Sequence, residues 1–389
     1  MVTLTTAENA LKTLYLGVVA NQLNTGINPL LARFNQTTSD VWGKEIRKLA
    51  PFGINGGIGA GTEDGTLPTP AQNNYAQFVL ELKNLYGTIE ISDKAIRASQ
   101  NSSGAFVNLL NAEMEGLIKA SKFNFGRMLF GDGTGTLTTI QLQSDNTVIK
   151  VNDVRNLMEG MVIDIVDAAT GAINVAGRRI TYIDRANRLV GLSGANIDSS
   201  SIAEFDIVTV QGSLMKELTG LGALFGNSEK LYGLVRADNQ WLNPYKKTSA
   251  ELTDVVIQTA IDNLEEVAGS NADFIVCSSG VKRAYQNYLV TNRTNIDVMN
   301  LQGGYKAISY NGIPVVSDRF APKGTMYILN TSDFHLHQLC DWRWLEGDDG
   351  RVIKQVAGRP VYTATLVKYA DLICDRPIGQ GMISGITEQ

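Results

Sequence analysis

The chain has 389 residues, 44% of them hydrophobic and 19% charged, with a formal net charge of −5. That composition is that of a folded protein, excludes wholesale disorder, and at this length predicts two or three domains. The acidic balance argues against a dedicated nucleic-acid binder, and no stretch reaches the roughly 18 apolar residues of a membrane span.

The opening Met1-Val2-Thr3-Leu4-Thr5-Thr6 carries no basic n-region, so no secretory signal is expected. Thr5 with Glu8 reads as a capping box, which satisfies free amides at a helix start. Ala7, Leu11, Leu14 and Val18 then fall on one helical face, and the pattern fades near Gly26 and Pro29. From 41 to 92 the chain reads as extended, over Val41–Ala50 and Tyr75–Ser92, with Phe78, Leu80 and Leu82 alternating against Val79 and Glu81. Between these runs lie Pro51-Phe52-Gly53-Ile54-Asn55-Gly56-Gly57-Ile58-Gly59-Ala60-Gly61 and a stretch to Pro70 containing Gly65 and Pro68. Glycine brings no side chain to a core and costs entropy to order, so this segment predicts the tip of a long two-stranded arm. An isolated hairpin is marginal in water, which predicts that another copy of the chain steadies it.

The strongest helical pattern runs from Ser103-Gly104 to Phe130, carried by Phe106, Leu110, Met114, Leu117, Ile118, Phe125, Met128 and Leu129. At about 1.5 Å per residue it would span roughly 40 Å, with Gly131 expected at the left-handed C′ position. Gly131-Asp132-Gly133-Thr134-Gly135 then turns the chain into short strands over Val148–Val151, Met161–Asp167, Arg179–Asp184, Arg188–Leu192 and Phe205–Val210. Their spacing predicts a small antiparallel barrel or sandwich over residues 137 to 211. Thr248 and Glu251 suggest a second capping box, before a stripe of Leu252, Val256, Ala260, Leu264 and Val267 that ends at Gly269. Strands are expected at Phe274–Cys277, Ile313–Ser317, Met326–Leu329, Phe334–Leu339 and Val361–Ile373, with a helix over Val281–Leu289. The body is thus α+β or α/β.

Nothing in this pattern adds up to a reaction centre. The glycines at 53 to 65 lack the Lys-Ser/Thr pair of a phosphate loop, and Gly131–Gly135 follow a helix instead of preceding one. His335 and His337 share a strand face, with Asp333 on the same parity, but no cysteine pair stands beside them to complete a zinc site. Asp341, Glu346, Asp348 and Asp349, among Trp342 and Trp344, lack the ligand alternation of a calcium loop and read as an acidic surface turn. There is no G-x-S-x-G; Cys277 has no evident base, and Ser278 or Ser279 would have only two histidines in the whole chain to draw on. Cys277, Cys340 and Cys374 are odd in number and scattered, which predicts reduced thiols. No catalytic, cofactor or metal site is expected, and the chain reads as a non-enzyme that needs no cofactor.

The order of parts, with N-terminal helix, long arm, long helix, β-rich segment and α+β body, resembles the major capsid proteins of tailed double-stranded DNA bacteriophages, the Hong Kong 97-type fold. Phe78-Val79-Leu80-Glu81-Leu82-Lys83-Asn84-Leu85-Tyr86-Gly87-Thr88-Ile89-Glu90-Ile91-Ser92-Asp93-Lys94 resembles the returning strand of that family's E-loop and its turn into the spine helix. Tyr310-Asn311-Gly312-Ile313-Pro314-Val315-Val316-Ser317-Asp318 and Met326-Tyr327-Ile328-Leu329-Asn330 resemble late axial-domain strands, and Val361–Ile373 resembles a closing peripheral strand.

The resemblance implies an α+β fold with an N-terminal arm over 1–40, an E-loop over 41–92 and a peripheral domain over 93–136 whose spine helix is at about 104–130. It implies further an inserted β-barrel-like domain over 137–211, a mainly axial domain over 212–360 and a closing peripheral strand over 361–389. It implies a virion shell of hexamers and pentamers around double-stranded DNA held non-specifically, made in the host bacterial cytoplasm. With only about forty residues before the arm, it implies a separate scaffold protein or none, along with a portal and a decoration partner, and no membrane. Intersubunit contacts are expected at Val41, Trp42, Lys44, Phe52, Gly56, Gly57, Gly59, Gly61, Tyr75, Phe78 and Lys83. No asparagine pairs with Lys44, Lys48 or Lys83 from sequence, so no covalent cross-link is inferred. The alternatives are an encapsulin-type nanocompartment with the same fold, a tail or surface β protein, which the helix over 105 to 130 argues against, and a hydrolase built on 248 to 340 using Ser278 or His335.

Overall fold

A computed structural model describes residues 28–94, 103–142, 146–292, 298–300, 306–347 and 350–389. The helix expected from Thr5 onward lies outside these residues. Leu30, Leu31 and Phe34 enter the main core, where Phe34 stacks on Phe334 at 4.8 Å, and β1 (Asn35–Thr37) follows. β2 (Val41–Trp42) and β3 (Glu45–Phe52) pair antiparallel, and β3 pairs with β4 (Asn74–Glu81) from Glu45↔Glu81 to Phe52↔Asn74. β5 (Lys83–Ser92) begins two residues after β4 ends, yet joins a different sheet. The single extended run expected over Tyr75–Ser92 is therefore two strands, pivoting at Leu82, whose N–H donates to the Lys44 carbonyl (2.9 Å).

The long helix, α1 (Ser103–Phe130), buries Ile118, Phe125 and Leu129. Gly131 is not left-handed. Its N–H donates to Met128 O (3.0 Å), a tightened last turn, and the left-handed glycines are Gly133 (φ +88°) and Gly135 (φ +83°). Next, β6 (Thr136–Leu142), β7 (Val148–Val151), β8 (Val162–Val166), β9 (Ile173–Asp184), β10 (Leu189–Leu192) and β11 (Ile207–Val210) close an antiparallel barrel in the order β10–β7–β6–β11–β8–β9. Its core of Leu137, Ile140, Ile149, Val151, Ile163, Ile165 and their neighbours is a cluster of its own. Thr134 O accepts from Met215 N (2.8 Å), so the chain enters and leaves the barrel at one place.

α2 (Leu221–Phe225) and the short pair β12 (Lys230–Leu231) and β13 (Leu234–Val235) lead to β14 (Tyr245–Thr248). α3 (Asp254–Ala268) starts later than expected. Thr248 is spent in β14, and Thr253 is the cap instead, its hydroxyl accepting from Val256 N (3.3 Å). Then come β15 (Phe274–Cys277), α4 (Ser279–Thr291), β16 (Val298–Asn300), β17 (Lys306–Tyr310), β18 (Ile313–Ser317) and β19 (Met326–Leu329). β20 (Phe334–Trp344), β21 (Lys354–Gln355), β22 (Val361–Cys374) and β23 (Gly381–Ser384) complete the chain.

Two sheets carry the body. β22 lies between β5 and β20, with β1 beyond β20 and β21 also on β22. The other sheet runs β14–β23–β19–β15–β18–β17–β16. Side chains on a strand alternate between faces, and β15 shows the consequence: Phe274 and Val276 join the main core, while Ile275 and Cys277 face the core built with α3 and α4. A sheet covered on both faces reads as the continuous apolar runs seen in β15 and β19.

Candidate intersubunit surface

The β2–β3–β4 sheet forms the base of the arm, and its inner face is anchored within the same chain. Ile46 and Phe78 are fully buried. The Phe78 ring packs on Tyr232 (centroids 5.1 Å) and Trp241 (5.8 Å), and Phe52 stacks on Trp241 at 5.1 Å with 6° between planes. Val79 N donates to Tyr232 O (3.1 Å). Lys48 Nζ reaches Asp375 Oδ2 (2.7 Å), and His335 Nδ1 lies 3.2 Å from the same oxygen. His337 Nδ1 donates to Ser39 O (3.0 Å), and burial holds the imidazole below its ordinary pKa.

The outer face is different. Leu49, Tyr75 and Val79 point to solvent, and Trp42 at the elbow is 71% exposed. Beyond Phe52 the chain leaves the sheet, and from 54 to 73 it forms no helix or strand. This tip exposes Ile54 and Ile58 (each 76%) and Leu67 (90%). Apolar side chains held outward among glycines serve no core of their own subunit and form a surface that a partner would cover.

Of the residues expected at intersubunit contacts, Gly56, Gly57, Gly59 and Gly61 lie in the tip, and Trp42, Lys44 and Tyr75 are exposed. Val41 and Phe52 are half-buried against their own body. Two residues belong elsewhere. Phe78 is spent in the arm's own anchor, and Lys83 opens β5, paired with Ala370 in the body sheet. Ile54 and Ile58 fall within the glycine-rich stretch 53–65 that the sequence marks for such contacts, whereas Leu49 and Leu67 lie outside the expected set. For Leu67 the signal was present: an apolar residue inside a stretch too rich in glycine and proline to build a core.

The candidate chemical groups are structurally occupied. His335 and His337 have ring centroids 6.2 Å apart, and among the described residues no cluster of three or more His, Cys, Asp or Glu side chains could hold a metal. Asp341 turns to the buried Lys368 Nζ (2.7 Å), while Asp348 and Asp349 lie outside the described residues. Ser278 caps α4, its hydroxyl accepting from Val281 N (3.4 Å) and donating to the Glu388 carboxylate, whereas His335 faces Asp375. Burial pushes the Cys277 thiol up to about 12 and Cys374 well above its usual range, which leaves both as unreactive thiols.

No protein-family profile and no curated protein sequence matches the chain. Among solved structures, a chain of the cyanophage A-1(L) capsid is similar over 97% of this chain and 94% of its own, at 14% identity and a TM-score of 0.54. This chain has the fold of that phage capsid subunit. It is also similar, at 10% identity and a TM-score of 0.47 over 95% of each chain, to the holo SrpI encapsulin complex from Synechococcus elongatus. A chain of the satellite phage P4 procapsid containing the size-determination protein matches at 12% identity and a TM-score of 0.42, over 96% of this chain and 99% of its own.

Proposed function

We propose that the protein is a structural capsid subunit that assembles with copies of itself into a closed icosahedral shell around double-stranded phage DNA. The observation that carries this is the cyanophage capsid fold extending over nearly the whole of both chains. The arm supports it: anchored at its base by Phe78, Phe52 and Lys48, it holds an apolar tip away from any core of its own.

In this reading β3, β4 and the tip are the E-loop, α1 is the spine of the peripheral domain, and β5, β20 and β22 are its sheet. The seven-stranded sheet with α3 and α4 is the axial domain, and the barrel is an insertion that a decoration protein would use. Six- and five-fold rings tile the shell, a separate scaffold and a portal direct its closure, and the subunit is made in the host cytoplasm without doing catalysis. The net charge of −5 suits a container, because strong attraction to phosphate would hinder packing of the DNA.

Negative-stain electron microscopy of the expressed chain, alone and with a scaffold candidate encoded beside it, is the test. Uniform shells, tubes or sheets of hexamers are expected, and particles that enclose DNA in the infected cell separate a virion from an enzyme-filled compartment. Deleting Gly56–Gly65 should leave a soluble fold that closes no shells. A monodisperse monomer or dimer from the intact chain with its scaffold present would overturn the proposal.

A further inference from the structure

The chain contains two Asn-Gly pairs, Asn55-Gly56 and Asn311-Gly312, and the fold treats them in opposite ways. Asn55 and Gly56 are exposed in the arm tip, where no strand or helix holds the backbone. The Asn55 side-chain carbonyl accepts from Gly57 N (2.9 Å), a turn that folds the side chain forward over the peptide that follows. A side chain folded forward in this way lies over the peptide that contains the Gly56 nitrogen, and the donated hydrogen bond polarises its carbonyl. Gly56 has no side chain to hinder the approach, and among the described residues its N–H donates no hydrogen bond.

Asn311-Gly312 is the internal contrast. Asn311 (φ +47°) and Gly312 (φ +82°) are the central pair of a tight hairpin turn, with Tyr310 paired to Ile313 across it. The Asn311 amide also donates to Gln258 Oε1 (3.1 Å). For the Gly312 nitrogen to reach the Asn311 side chain, this hairpin must first open.

We propose that Asn55 is a site of spontaneous deamidation, so that the arm tip carries a slow, one-way chemical modification. In the first step Gly56 N gives its proton to solvent base and attacks Asn55 Cγ. The new C–N bond closes a five-membered imide, and the bond from Cγ to Nδ2 breaks to release ammonia. Water then opens the imide at either carbonyl, leaving aspartate or isoaspartate. No oxidant or reductant takes part. Proximity makes the first step effectively unimolecular, which is why it is confined to the pair whose backbone is free to adopt the geometry. Each event adds a negative charge to a tip that already carries Glu63 and Asp64, and the isoaspartate product also lengthens the backbone by one methylene. The consequence for assembly rests on the capsid reading: a tip covered by a neighbour is protected, and a tip left free ages.

The test is peptide mapping by mass spectrometry on the full-length protein, incubated at neutral to mildly alkaline pH, with unassembled chain and assembled particles sampled in parallel. The Asn55 peptide of the free chain should gain one mass unit and split into aspartate and isoaspartate forms, while the Asn311 peptide stays unchanged. Gly56→Ala should slow the conversion at least tenfold, and Asn55→Gln should abolish it. An Asn55 peptide that stays intact, or one that converts no faster than Asn311, overturns the proposal. Equal conversion in free chain and particles upholds the modification, and shows instead that the tip is not covered in the shell.

Discussion

A guanidinium and a carboxylate buried together stabilise a fold only while both are present. Arg127 on α1 grips Glu217, on the segment leaving the barrel, through two hydrogen bonds of 2.8 and 2.6 Å, and both side chains are 4% exposed. Arg127→Ala leaves an uncompensated carboxylate, and we expect a loss of about 3–5 kcal/mol in urea unfolding. Arg127→Lys should recover only part of it, because an ammonium cannot make the two-pronged contact. A loss within about 0.5 kcal/mol, as at an ordinary surface site, would mean that water reaches the pair. Asp371 and Asp318 act on the pH dependence. Burial raises each from 3.8 to about 6, although Asp371 accepts from Thr219 N (2.7 Å) and Oγ1 (2.9 Å). The folded state therefore holds these protons more tightly than the unfolded chain. Their stabilisation is fully present below about pH 4 and is lost as pH rises toward 6. Asp318→Asn should flatten this slope, by on the order of 1–3 kcal/mol across the window. A slope equal to that of the unmodified protein would show that Asp318 ionises normally.

At the scale of elements, the capsid reading divides the two faces of the arm between stability and assembly. Phe78→Ala empties the anchor against Tyr232 and Trp241 and should cost about 3–5 kcal/mol. Tyr75→Ala, on the outer face, should move stability by no more than about 0.5 kcal/mol while lowering the yield of closed particles. Thermal unfolding and particle counts on the same preparations separate the two, and a Tyr75 variant that assembles normally would remove that face from the contact. The break between β4 and β5 is legible in the sequence. Apolar residues fall on even numbers through Phe78 and Leu80, then on odd numbers at Leu85, Ile89 and Ile91, and a strand cannot change parity without changing face. That switch is what moves Lys83 off the arm. The start of α3 was harder to read. Thr248 and Thr253 are both acceptable caps, and only the pairing of β14 with β23, whose residues lie more than a hundred positions later, decides between them. Long-range pairing leaves no trace in a local window, whereas β15, β18 and β19 announce themselves because both of their faces are buried.

For the whole molecule, the distribution of apolar clusters decides which parts can stand alone. The barrel's cluster shares no residue with the two clusters of the body. Its mouth is narrow: a Cβ on Gly135 would lie 2.7 Å from Ser213 O, so the chain enters and leaves side by side. Its buried carboxylates are satisfied locally, Asp164 accepting from Gly177 N and Gly212 N (both 2.8 Å) and Asp206 from Ala203 N (2.9 Å). Arg155 ties it to the body, donating to Ala321 O (2.7 Å). A unit with its own core, satisfied polar groups and adjacent ends meets the conditions for independent folding. Removing residues 136–212 and joining Gly135 to Ser213 should therefore leave a body that unfolds in one cooperative transition, because Arg127–Glu217 and the two body sheets remain intact. The excised segment, expressed alone, should give the circular dichroism of an antiparallel β protein with a cooperative melt. A truncated body that binds a hydrophobic dye and melts without a transition would show that the barrel is part of one folding unit with the rest. A body that folds but no longer closes shells would instead place the barrel among the surfaces through which copies meet.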